Sequence, residues 1–290
     1  MRSIATLLLF ALVATPSFAA EPGSQPTKPE TAQKSTRPQP SHPRGIGLVL
    51  GGGGARGAAH IGVLRVLERE RIPVAYVGGT SMGAIIGGLY SMGYSPDEIE
   101  EVFAKLPWRD LLTDDPPRID LPMRRKDEDL RYLIDFKLGF RDGEVQFPRG
   151  VIQGQKMLLL LRRLALPAWR VQSFDELPIP FRCVGTDIGK GLPVVYAAGD
   201  IALAMRASMS VPAAFAPIKV DGRLMVDGGI VDNVPVDVVR EMDADVPLVV
   251  VDAGEPLLPE EELDSPIAIT LQMITAMMAV TMQNEMNPIR

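Results

Sequence analysis

A central, mainly parallel β-sheet covered by helices on both faces is the α/β fold that this sequence predicts, and three observations predict it. Short β-rich runs alternate with helical patterns along the chain. Several of those runs are apolar on both faces, as strands are when helices pack above and below them. Two of them end in glycine-rich turns that open directly into helices.

Taken in order, the first residues carry a positive charge at Arg2, an apolar run over residues 4–14, and then Pro16, Ser17 and Ala19. This is the anatomy of a secretory signal over residues 1–19, with cleavage after Ala19 and a periplasmic or secreted destination. The run is short of the ~20 apolar residues that a bilayer core requires, so a membrane span is the weaker reading. Residues 20–44 are rich in proline, serine, threonine and glutamine with little to bury, which predicts an extended, disordered tether.

Residues 45–255 read as one α/β domain. Strands are expected at residues 46–50, 74–77, 181–186, 192–197, 223–226 and 246–251, and helices at 57–71 and 83–93. Residues 107–149 mix prolines with many charges; a surface insertion bordering a substrate groove and a plain solvated loop both fit. In residues 256–290, Ile267, Leu271, Ile274, Met278 and Met282 share one helical face. They predict an amphipathic helix packed on the core, with membrane contact as the alternative.

Composition narrows the function. With 46% apolar and 23% charged residues the chain is of ordinary globular type, and a net charge of -6 without a basic run argues against a nucleic-acid partner. Cys183 is the single cysteine, so it forms no internal disulfide or cysteine-rich metal site and reads as a small core residue.

Three clusters carry chemistry. Gly51-Gly52-Gly53-Gly54-Ala55-Arg56-Gly57 follows a strand and opens a helix, so its backbone N–H groups are free to hold an anion. Gly52, Gly54 and Gly57 also satisfy the dinucleotide fingerprint, which makes nucleotide binding the competing function. The acidic residue expected after the next strand is missing, because that strand ends in Val77-Gly78-Gly79-Thr80.

Gly79-Thr80-Ser81-Met82-Gly83 is G-x-S-x-G between an apolar strand and a helix, the context of a nucleophile elbow. A serine hydroxyl needs a base, and histidine is nearly absent: His42 lies in the tether, and His60 precedes the serine in an order that matches no known Ser-His-Asp arrangement. His60 is therefore expected to be a packed or surface residue. Asp227-Gly228-Gly229, at the end of an apolar run and followed by Asp232-Asn233-Val234-Pro235, presents a carboxylate on a sharp turn. Alone it would usually be a turn and nothing more.

Together these residues resemble the patatin-like phospholipases. The resemblance runs from Gly45 to about Gly254 through the glycine loop with Arg56-Gly57, His60-Ile61-Gly62-Val63-Leu64, the Gly79 to Gly83 elbow, Arg206 to Pro212, and Asp227-Gly228-Gly229 with Asp232-Asn233-Val234-Pro235. It implies a patatin-like fold and a Ser-Asp dyad with Ser81 as nucleophile, Asp227 as base and Gly52, Gly53 and Gly54 as oxyanion hole. Hydrolysis of lipid or phospholipid esters follows, with transient membrane-surface contact and no metal or organic cofactor. A free aspartate titrates near about 3.9, so the base must rely on close alignment with the hydroxyl. Asp187, Asp232 and Asp252 are minor alternatives as base, Ser208 and Ser210 are expected to shape the wall near the site, and Arg56 is expected to fix the glycine loop by hydrogen bonds or to meet a phosphate.

Overall fold

The computed structural model describes residues 45–113, 122–123, 139–141, 144–146, 152–212 and 214–286. The signal and tether expected over residues 1–44 lie outside these, as does most of the charged segment 107–149.

Four strands form the parallel centre: β1 (Ile46–Leu50), β2 (Val74–Thr80), β5 (Phe181–Asp187) and β9 (Leu248–Val251), in the spatial order β5, β2, β1, β9. Their apolar runs bury on both faces. Leu48 and Leu50 enter one cluster with Val77, while Val49 enters a second with Ala75 and Tyr76. The first cluster is completed by α1 (Ala59–Arg69), α2 (Met82–Ser91), α3 (Pro96–Lys105) and, beyond the short α4 (Trp108–Leu111), by α5 (Gln155–Leu164) and α6 (Ile201–Ser208). The second is closed by Val236 and Val239 of α7 (Val236–Met242). Helices therefore cover both faces, as expected.

The flank departs from the parallel pattern. β6 (Leu192–Tyr196), β7 (Ile218–Val220) and β8 (Arg223–Asp227) run antiparallel to their neighbours. The cause is local: the connections β5 to β6 and β7 to β8 are too short for a crossover, which a parallel pair requires. Asp221 and Gly222, at φ 48° and 80°, make a two-residue hairpin turn with both residues left-handed. Within the charged segment β3 (Gly139–Arg141) and β4 (Glu144–Gln146) pair antiparallel.

The C-terminal helix α8 (Pro266–Met286) corrects the amphipathic expectation. Leu271, Ile274, Met278 and Met282 do share a face and line a cavity. The opposite face is apolar too, with Ile269, Met273, Met277 and Val280 exposed. The helix roofs the site described next, and its Met282 packs against the second core cluster.

Candidate active site

The geometry follows from the register of β5. Val184 of β5 pairs with Thr80, the last residue of β2, and the next residue, Gly185, pairs with Asp227, the last residue of β8. Cys183 and Val184 also pair with β6, as do Gly185 to Asp187, so β2 and β8 must occupy the same edge of β5. One runs parallel to β5 and the other antiparallel, so their ends meet head-on within one residue, a rise of about 3.3 Å. Ser81 and Asp227 are thereby delivered to one place by two strands that are far apart in sequence.

Ser81 sits at φ 54° and ψ -119°, a left-handed backbone rarely adopted by serine. Such a conformation costs on the order of 1–3 kcal/mol and persists only where its surroundings enforce it. Here the enforcement is close packing. A Cβ on Gly79 would lie 2.5 Å from the Gly83 carbonyl oxygen, and a Cβ on Gly83 would lie 2.1 Å from that of Leu50. The Ser81 N–H donates to the Ser208 hydroxyl at 2.9 Å.

Asp227 is fully buried. Its Oδ1 accepts the Gly229 N–H at 2.8 Å. Burial pushes its pKa up to about 6, while the Ser81 side chain and the Gly229 N–H pull the other way. Oδ2 accepts no fully aligned hydrogen bond among the described residues, so the serine contact in this resting state is a loose one.

The glycine loop lies over this pair. The Gly51 N–H donates to Val251 O at 2.9 Å and the Gly52 N–H to Asn233 O at 3.1 Å. Gly52 therefore departs from expectation: its N–H is engaged and cannot face an oxyanion. Gly53 and Gly54 remain, and among the described residues their N–H groups donate to no carbonyl. The loop is pinned below by His60, whose buried Nε2–H donates to Gly51 O at 2.8 Å; burial drives its pKa down, against the opposing pull of the Gly51 hydrogen bond and Asp252. Arg56 ties the loop through its backbone rather than its side chain. Its backbone N–H closes the turn onto Gly53 O at 3.0 Å, but its exposed guanidinium makes no hydrogen bond among the described residues. Gly57 is packed so that a Cβ would lie 2.4 Å from Met82 Cγ, which locks the loop against the elbow helix.

A cavity of about 440 Å³ opens onto Gly52, Gly53, Gly54, Ser81 and Asp227 and is walled by Val211 and the inner face of α8. Asp252 lies at its rim and caps Gly254 N–H at 2.7 Å. Asp187 caps Gly189 N–H at 3.0 Å, and Asp232 offers its backbone carbonyl to the Thr80 hydroxyl; neither lines the cavity. Ser210 is buried and reaches Asp227 through its backbone carbonyl. Cys183 is a buried core residue, as expected. Among the described residues no group of three His, Cys, Asp or Glu could hold a metal ion.

The arrangement can deprotonate a serine hydroxyl with a buried carboxylate and receive a developing negative charge at two glycine N–H groups. Sequence reasoning missed the Ser208 contact, the Asn233 carbonyl that engages Gly52, and the roof formed by α8. Their signals are long-range contacts, and no local pattern encodes them.

Residues 48–240 match the family model described as patatin-like phospholipase. An uncharacterised NTE family protein of Mycobacterium tuberculosis is 32% identical over 210 residues, 72% of this chain and 49% of that protein. The lysophospholipase NTE1 of Meyerozyma guilliermondii is 32% identical over 219 residues, 72% of this chain and 12% of its own length. VipD from Legionella pneumophila superposes with a TM-score of 0.43 at 19% identity, over 67% of this chain and 47% of that one. This chain thus spans about half the length of the mycobacterial relative and a small part of the fungal one. On the strength of the family model, this chain belongs to the patatin-like phospholipase family.

Proposed function

We propose that the chain is a serine acyl hydrolase that cleaves carboxylic ester bonds of lipids, as a phospholipase A or lysophospholipase does, after export from the cytoplasm. The observation that carries this reading is the head-on meeting of β2 and β8, which sets Ser81 beside the buried Asp227 at the floor of a cavity with apolar walls. A fungal relative that is named a lysophospholipase supports the lipid substrate.

In this mechanism the Ser81 Oγ attacks the ester carbonyl carbon and its proton passes to Asp227 Oδ2. The carbonyl oxygen, now an oxyanion, takes hydrogen bonds from Gly53 and Gly54 N–H. Collapse of the tetrahedral intermediate expels the alcohol, protonated by Asp227, and leaves the acyl group on Ser81. Water then attacks the acyl-enzyme, giving a proton to Asp227 and restoring the Ser81 hydroxyl as the fatty acid leaves. Burial resolves the weak-base difficulty seen in the sequence. A carboxylate titrating near 6 is still largely ionised at neutral pH, yet is a stronger base than a free aspartate. The loose resting contact would tighten in the substrate complex.

The acyl chain would lie along Val211, Leu271, Ile274, Met278 and Met282. Its source would be a lipid surface met by the outer face of α8, where exposed Ile269, Met273, Met277 and Val280 form an uncharged apolar strip above the cavity. Among the described residues no helix is long and apolar enough to cross a membrane, so the contact proposed is with the surface.

The test compares a soluble short-chain nitrophenyl ester with phospholipid vesicles, using the purified chain beside Ser81→Ala and a Met273→Glu, Met277→Glu double variant. Ser81→Ala should lose hydrolysis of both by about a thousandfold or more. The double variant should lose roughly tenfold on vesicles and stay within about twofold on the soluble ester. An active Ser81→Ala would sink the serine mechanism, and equal losses on both substrates would remove the surface role of α8.

A further inference from the structure

We infer that Ser208 is a positioning residue for this reaction: its hydroxyl, at the C-terminal end of α6, holds the Ser81 backbone in the strained conformation that keeps the nucleophile beside Asp227. The inference rests on the reading of Ser81 and Asp227 as nucleophile and base, and adds a function for a contact which that reading does not use.

Ser208 is fully buried, and both sides of its hydroxyl are committed. Its O–H donates to Val184 O at 2.6 Å, and its oxygen accepts the Ser81 N–H at 2.9 Å. Val184 is the β5 residue paired with Thr80, so the hydroxyl ties the first residue beyond β2 to the strand on which β2 lies. The position matters because the Ser81 N–H is past the end of the ladder and at the start of a helix, where no intrahelical acceptor exists. Without Ser208 it would be a buried donor with no partner, and the cheapest relief is rotation away from φ 54°, which swings the side chain. Two residues further on, the Ser210 carbonyl accepts the Asp227 N–H at 2.9 Å. The last turn of α6 and the residues after it therefore grip both members of the pair by their backbones and set the distance between them.

This turn is itself anchored. The buried Arg206 donates from Nη1 to the Ser210 hydroxyl at 2.6 Å and from Nη2 to Gln153 O at 3.0 Å, and the Ser210 hydroxyl donates to Arg206 O at 2.9 Å. The Ser210 side chain thus stabilises the turn without touching Ser81 or Asp227, which makes it the natural control.

The experiment measures Ser208→Ala, Ser208→Cys and Ser210→Ala against wild type for kcat, KM, the pH dependence of kcat/KM, melting temperature, and hydrogen exchange of the Ser81 amide. Ser208→Ala should lower kcat by roughly 10- to 100-fold with KM within about twofold, and move the acidic limb to higher pH because Asp227 loses its serine contact. Ser208→Cys, which keeps a weak acceptor, should recover part of kcat. Ser210→Ala should lower the melting temperature without moving the acidic limb. Unchanged kcat in Ser208→Ala, or a fall in kcat that Ser210→Ala reproduces in proportion to lost stability, would overturn the inference. Should the wild type hydrolyse no ester, the proposed function fails, and amide exchange still decides: faster exchange at Ser81 in Ser208→Ala upholds the clamp, and unchanged exchange refutes it.

Discussion

Asp227→Asn should abolish ester hydrolysis and at the same time make the protein more stable at neutral pH. The carboxyl is fully buried, and its pKa of about 6 in the folded chain lies above the roughly 3.9 expected when unfolded. Between those two values the folded state holds more protons than the unfolded state, so stability falls as pH rises through that window. Above it the ionised, desolvated carboxylate costs on the order of 3 kcal/mol, taking about 1.4 kcal/mol per pKa unit. Asparagine removes that charge, keeps an oxygen for the Gly229 N–H, and can donate to the Ser81 hydroxyl. The variant should therefore melt about 5 °C or more above wild type at pH 7.5, and the gap should close towards pH 4. Activity should fall by a thousandfold or thereabouts, since the variant removes the carboxylate that is buried beside Ser81. Thermal melts of the two proteins across that pH range, paired with ester hydrolysis, decide both halves. A less stable and still active variant would mean that Asp227 is a structural residue.

Gly83→Ala should have a large effect on folding, although it adds a single methyl group and in most helices would be mildly favourable. A Cβ at this position would lie 2.1 Å from Leu50 O and 2.7 Å from Gly51 O, and both are backbone atoms that no rotamer change can move. The clash separates α2 from β1 at the point where the elbow and the glycine loop touch. A loss of about 4 kcal/mol or more is expected, with the variant recovered as aggregate or melting far below wild type. Gly62 is the contrast: nothing lies within 4 Å of a Cβ there, so Gly62→Ala in α1 should leave the melting temperature unchanged or raise it slightly.

How much of this was legible in the sequence depends on how local each signal is. The elbow was, because Gly79 and Gly83 are needed by atoms within a few residues of Ser81 or by the strand beside it. The central strands were, because runs such as Ile46–Leu50 are buried on both faces and carry their periodicity in themselves. The hairpin at β7 and β8 had its marker in Asp221-Gly222, but three residues of β7 are too short a run to read as a strand. Helix α3, absent from the expected elements, has a local start signal in Ser95-Pro96-Asp97-Glu98, where the serine and glutamate cap each other. Four of the five residues expected on the apolar face of α8 line the cavity, the side chain of Ile267 lies outside the described residues, and Ile269, Met273, Met277 and Val280 make the opposite face apolar as well.

The arrangement of the site was less legible. That Thr80 and Asp227 fall opposite consecutive residues of β5 is a matter of register between strands well separated in the chain. Ser208 meets Ser81 across 127 positions, and Asn233 meets Gly52 across 181. In sequence, Gly52, Gly53 and Gly54 are equivalent donors. Which of its N–H groups is free depends on the Asn233 carbonyl, and only the folded chain brings that carbonyl to Gly52.

The most direct test of the Ser81 and Asp227 pairing is the pH dependence of kcat/KM on a soluble ester whose own charge does not change between pH 4 and 9. A single acidic limb with a midpoint near 6 is expected, where the buried Asp227 ionises, followed by a plateau through neutral pH. A rate that stays flat down to pH 4, or a limb of the same midpoint in the residual activity of Asp227→Asn, would contradict a base at Asp227.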